Sequence, residues 1–92
     1  MKRQSEFAAF LKKKRSLAGL SQKEVSEELG YSTPQFISNW ERGMSTPPMT
    51  AIKKLALLYK ISMDEIFELL LQETVQQVTS DLKKKFYGKK AN

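Results

Sequence analysis

The sequence predicts an all-α protein, and three observations carry that expectation. Apolar residues recur three and four positions apart along the whole chain, and apolar–polar alternation never persists beyond a few residues. Helix start and stop signals follow one another at short intervals, with no internal repeat and no low-complexity linker between them. At 92 residues the chain has room for one domain, and therefore for one principal function.

A first helix is expected over about residues 4–17, with Phe7, Phe10, Leu11 and the stem of Lys14 on one side and Gly19 placed to stop it. Ser21-Gln22-Lys23-Glu24 then forms a capping box, in which the Ser21 hydroxyl serves the third helical N–H and Glu24 reaches back to the Ser21 amide. The second helix it opens sets Val25 and Leu29 on one inner face and ends at Gly30 after about two turns.

Thr33 and Pro34 predict the start of a third helix, because Thr33 can cap and a proline at the first helical position gives up an N–H that has no partner. This helix runs to Arg42 and closes at Gly43. Its inner side gathers Phe36, Ile37 and Trp40, and its outer side Gln35, Ser38, Asn39 and Arg42. A loop over residues 44–48 leads to a fourth helix carrying Ile52, Leu55, Ala56 and Tyr59. Ser62-Met63-Asp64-Glu65 is a second capping box, opening a fifth helix at Ile66. Beyond it, Leu71, Val75, Val78, Leu82 and Phe86 make an apolar stripe that needs a partner surface. The stripe either extends the fifth helix or lies on a sixth that restarts at Thr79-Ser80-Asp81, and it either dimerises or folds back on its own domain.

Composition removes several function classes. The chain has no cysteine and no histidine, so disulfides, thiolate or imidazole metal sites and histidine-based acid–base pairs are absent. The adjacent carboxylates Asp64 and Glu65, or Glu27 and Glu28, point roughly 100° apart on a helix and do not converge on one reacting atom. No enzyme activity, no cofactor and no metal site is expected. No secretion signal is read in the charged N-terminal segment, and the apolar run at residues 66–71 is broken by Glu68 and far shorter than a membrane span. A cytoplasmic protein with no membrane partner is the expectation.

The net charge of +6 invites a nucleic-acid partner, but five of the basic residues lie within residues 82–92, and the remaining 11 are almost balanced by 10 acids. The lysine-rich tail, with Lys83, Lys84, Lys85, Lys89 and Lys90, is expected to be mobile, serving either phosphate attraction or solubility alone. Charge by itself thus leaves the partner open, and the pattern has to decide it. Two short helices joined by a tight turn, the second apolar inside and amide-rich outside, meet the physical needs of reading a major groove.

The run Leu20-Ser21-Gln22-Lys23-Glu24-Val25-Ser26-Glu27-Glu28-Leu29-Gly30, followed by Ile37-Ser38-Asn39-Trp40-Glu41-Arg42-Gly43, resembles the Cro/lambdoid-repressor, or XRE-type, helix-turn-helix family. Arg15, Pro47 and the Leu55-Ala56 pair also fall at the family's spacing, and the resemblance covers roughly residues 6–68. It implies a five-helix lambda-repressor-like DNA-binding domain, here over residues 1–70, with residues 71–92 as a helical extension and tail. It further implies that Gln22 contacts phosphate with Lys23 beside it, and that Thr33, Pro34, Gln35, Ser38 and Asn39 lie against bases or adjacent phosphates. Gln35 and Asn39 are the expected specificity residues, since an amide can pair with adenine N6 and N7. Arg42 is expected on phosphate, Arg15 and Glu41 as a buried structural ion pair, and Trp40 in the core.

Two departures stand out. The segment between Gly30 and Ile37 is one residue longer than the family's usual turn, which leaves the start of the third helix open. Lys60 occupies a position where the family prefers glycine, which implies a different helix stop. The resemblance implies a transcriptional regulator, a repressor by expectation, bound as a homodimer to a palindromic operator in double-stranded DNA. An antitoxin or other protein-interaction module, whose C-terminal stripe holds a protein partner, is the alternative. A symmetric dimer through residues 71–86 favours the first, and a monomer that pairs only with another chain favours the second.

Overall fold

The computed structural model describes residues 5–88, which form five helices and, among the described residues, no strand. They are α1 (Glu6–Leu17), α2 (Gln22–Leu29), α3 (Gln35–Glu41), α4 (Met49–Tyr59) and α5 (Met63–Tyr87). Each begins where a side chain or a proline satisfies or removes orphan N–H groups. Ser5 accepts from the Ala8 N–H at 3.1 Å, and α1 begins at Glu6; the expected start at residue 4 lies outside the described residues. Ser21 and Glu24 close both halves of their box, at 3.0 and 2.8 Å. Ser62 makes the forward half of the same arrangement with the Glu65 N–H at 3.1 Å, and α5 starts three residues before Ile66.

The stops share one geometry. After α1, α2, α3 and α4 a residue takes positive φ, namely Gly19, Gly30, Gly43 and Lys60, and the next amide reaches back to the carbonyl five positions earlier. This is the Schellman closure, and at Lys60 it corrects the expectation of a different stop. Lys60 adopts φ 58°, and the Ile61 N–H still meets the Ala56 carbonyl at 2.9 Å. The lysine therefore carries a backbone strain that a glycine would not.

The core is made by the inner faces of all five helices. Leu11, Val25, Ile37, Leu55 and Ile66 are almost completely buried, with Phe7, Trp40, Ile52 and Tyr59 around them. α1 packs on α3, α4 and α5, α2 on α3 and α4, and α4 on α5. Truncating one of the fully buried leucines to alanine is the kind of change that costs about 2–5 kcal/mol.

Two expectations are corrected by packing. Helical period puts Phe36 on the inner side of the third helix, but it is 52% exposed, because α3 turns only Ile37, Trp40 and Glu41 into the core. Phe36 instead lies on the ring of Tyr31 at 4.9 Å, and Tyr31 meets Trp40 edge-on at 5.9 Å. The second correction concerns the C-terminal stripe. α5 runs unbroken through Thr79-Ser80-Asp81, without a restart, and Leu71, Val75, Val78, Leu82 and Phe86 are between 43% and 82% exposed. The stripe does not fold back onto the described residues. Lys83, Lys84 and Lys85 belong to the end of this helix and not to a mobile tail, while Lys89 and Lys90 lie outside the described residues.

Candidate nucleic-acid interface

The second and third helices meet through a turn closed by short local bonds. Gly30 takes the left-handed conformation that ends α2, and the Tyr31 N–H returns to the Ser26 carbonyl at 2.9 Å. The Thr33 hydroxyl accepts from the Gln35 N–H at 3.2 Å, a local turn bond made one position ahead of the N-cap, so Thr33 is not the cap the sequence predicts. Pro34, however, precedes the first helical residue and is not itself that residue. Its carbonyl takes the Ser38 N–H at 3.0 Å, and α3 begins at Gln35, one position later than the sequence signal suggested.

The inner side of α3 is fixed by an ion pair. Arg15 Nε lies 2.6 Å from Glu41 Oε2 and its Nη2 donates to Oε1 at 3.1 Å, a two-pronged contact that binds the end of α1 to the end of α3. Arg15 Nη1 also donates to the Leu20 carbonyl at 2.8 Å, just ahead of α2. Glu41 is only 5% exposed, so its charge depends on this partner. The hydrogen bond to Glu41 raises the Arg15 pKa above its already high ordinary value, against the opposing effect of burial. The Tyr59 phenol is pushed well above its ordinary value of 10.0, first by burial and then by the Glu41 carboxylate, with Arg15 acting in the other direction.

Gln22 is placed differently from the simplest expectation. Its side-chain Nε2 donates to Glu41 Oε1 at 3.0 Å, so α2 joins the same cluster, and Gln22 is half-buried at the N-terminus of α2. Sequence spacing did not reveal this link, because the two residues are 19 positions apart and no local pattern connects them. Tyr31 is the other residue that spacing missed. Its aromatic contacts to Phe36 and Trp40 brace the turn.

The outer side of α3 carries a chain of polar groups. Gln35 Nε2 donates to Asn39 Oδ1 at 3.0 Å, and Arg42 Nη2 donates to the same oxygen at 2.8 Å. Arg42 Nε also approaches the Ser38 carbonyl at 3.4 Å. Four of the expected residues, Gln35, Ser38, Asn39 and Arg42, are thus brought together on one face. Thr33 adjoins its N-terminal end through the bond to the Gln35 amide, with Pro34 exposed between them. Lys23 is exposed one position past Gln22, whose amide is turned toward Glu41. Among the described residues no group of three or more acids stands close enough to hold a metal ion, and no helix is long and apolar enough to cross a membrane.

A short helix packed across another, presenting a polar outer face while its inner face is locked into a small bundle, defines a helix-turn-helix protein. Residues 11–66 match the helix-turn-helix family model, and the chain belongs to this XRE-type family, as its motifs suggested. The family is one of DNA-binding regulators, typically without enzymatic activity. No curated protein matches the chain.

Proposed function

We propose that this chain is a sequence-specific repressor of transcription that binds a palindromic operator in double-stranded DNA as a homodimer, placing α3 in the major groove. The observation that carries the reading is the chain of side chains from Gln35 through Asn39 to Arg42 on the open face of a helix held from behind by Arg15 and Glu41. Backing of this kind holds the reading groups in one orientation, which lowers the ordering cost of docking.

The reading assigns roles by chemistry. Gln35 and Asn39 exchange their mutual hydrogen bond for bonds to base edges, and each amide can serve adenine as donor and acceptor at once. Arg42, released from Asn39, reaches a phosphate, and Thr33, Pro34 and Ser38 line the approach to the backbone. Lys23 adds a phosphate contact from the start of α2. Gln22 retains a second amide hydrogen and its carbonyl beyond the bond to Glu41, so it can bridge the structural cluster and a phosphate. Residues 71–86 supply the contact between copies, since one helix in one groove gives little discrimination and two give a half-site spacing of about 34 Å.

Selection of bound duplexes from a random pool tests this directly. The expected result is an enriched palindrome with half-site centres about one helical turn apart. Recovery of unenriched sequence, or of a single unrepeated half-site, would overturn respectively the sequence-specific and the dimeric parts of the reading.

A further inference from the structure

We propose that α5 pairs with α5 of a second copy of this chain in antiparallel orientation, with the two-fold axis between Gln76 and Gln77. This rests on the homodimer reading above and adds to it the direction and register of the contact.

The exposed apolar positions Phe67, Leu71, Val75, Val78, Leu82 and Phe86 step by four, four, three, four and four residues. The order of steps reads the same from either end, and its centre falls between Gln76 and Gln77. At about 100° per residue all six lie within an arc of roughly 100°, so they form one continuous face about 29 Å long. A two-fold rotation about the centre brings Val75 level with Val78 of the other copy, Leu71 with Leu82 and Phe67 with Phe86. Every apolar position then meets an apolar level, which an arbitrary stripe would not achieve.

Charge favours the same direction. The N-terminal part of α5 carries Asp64, Glu65 and Glu68, and its C-terminal part carries Lys83, Lys84 and Lys85. Antiparallel pairing sets Glu68 of one helix level with Lys85 of the other, both at the border of the stripe, whereas parallel pairing would set each Lys85 level with its own counterpart. The face is also sterically open. Ile66, Leu69 and Leu70 turn toward the core, and Glu73 accepts a hydrogen bond from Ser5 at 2.8 Å, so the domain lies on the side of α5 opposite the stripe. A second helix can lie along the stripe without meeting it.

Because the chain contains no cysteine, single-cysteine variants report the register without background. Leu71→Cys and Leu82→Cys are prepared in the full chain, and each alone and a mixture of the two are treated with a short bismaleimide. In the proposed register each position lies about 16 Å along the axis from its own counterpart, beyond the spacer's reach, but level with the other variant's cysteine. The expected result is covalent dimer in the mixture, several-fold above either variant alone. Equal or stronger cross-linking of a single variant overturns the antiparallel orientation, and no cross-linking in any sample from a chain that sediments as a dimer overturns the register. A wild-type chain that sediments as a monomer overturns the whole inference, as it would if the stripe served a different protein. Anisotropy of a labelled duplex, measured on the wild-type chain, separates the two readings. Duplex binding by a monomer leaves DNA recognition standing without the pairing, and cross-linked dimers that bind no duplex leave the pairing standing without DNA recognition.

Discussion

The side-chain amide of Gln22 and the guanidinium of Arg15 converge on the same oxygen of Glu41, at 3.0 and 3.1 Å. One carboxylate thus ties together the end of α1, the start of α2 and the end of α3. The helix that carries the proposed reading face is held in place by a carboxylate on its opposite, buried side.

Removal of Glu41 should therefore act on stability before it acts on recognition. Glu41→Ala leaves Arg15 without its partner in a site where both side chains are mostly buried, and the expected loss is about 3–5 kcal/mol. Urea denaturation checks it. The double variant Arg15→Met, Glu41→Leu should lose clearly less than Glu41→Ala, since it leaves no stranded charge. An equal or larger loss would mean that the stranded charge is not the cause and that the hydrogen bonds to Gln22 and the Leu20 carbonyl are.

The two helix stops at Lys60 and Gly43 should respond in opposite directions. Lys60→Gly removes the strain of a side chain at φ 58° and should stabilise the protein by up to about 1 kcal/mol. Gly43→Ala should destabilise it by more than about 1 kcal/mol, because φ is 73° and a new Cβ would lie 3.2 Å from the Ser5 Cβ. Thermal midpoints of the two variants, compared with the parent, read both signs in one experiment.

The outer face of α3 should separate base contacts from phosphate contacts. Gln35→Ala or Asn39→Ala is expected to relax preference at one base position and to cost about 1–3 kcal/mol on the preferred duplex. Arg42→Ala should weaken all duplexes alike and flatten the salt dependence. Titrations of matched and single-substituted duplexes at two salt concentrations distinguish the two patterns.

Tyr59 should make the fold sensitive to alkali. Its phenol is held protonated in the folded state above the ordinary pKa of 10.0, so above that pH the folded state binds the more protons. The stability it supplies is complete below about pH 10 and is lost as pH rises beyond, by up to about 1.4 kcal/mol per pH unit. Tyr59→Phe should lower this slope between pH 10 and 11 in urea unfolding curves. An unchanged slope would show that the phenol titrates alike in both states.

The parts of the fold legible in the sequence are those specified within a few residues. A Ser with Glu three positions on predicts α2, because both groups of the capping box lie in one turn, and Gly30 predicts its end, because the left-handed stop is a property of that residue. The inner assignments of Ile37 and Trp40 followed from helical period, as did the common face of Gln35, Ser38, Asn39 and Arg42. Phe36 shows the limit of the same rule. Period places it beside Ile37 and Trp40, but how wide a stripe α3 buries depends on how α1 and α2 pack against it.

By itself, then, the sequence determined the helices, their caps, the family and the open face of α3, since these rest on contacts between near neighbours or on motif spacing. Tertiary structure decided which partners distant side chains take. It gave Gln22 to Glu41, set Tyr31 beneath Phe36, closed α4 at Lys60 with the geometry of a glycine, and carried α5 past the domain with its stripe uncovered. Such choices are made by the packing of elements far apart in the chain, where the energy of a contact depends on the arrangement of the whole bundle and not on the spacing of any one segment.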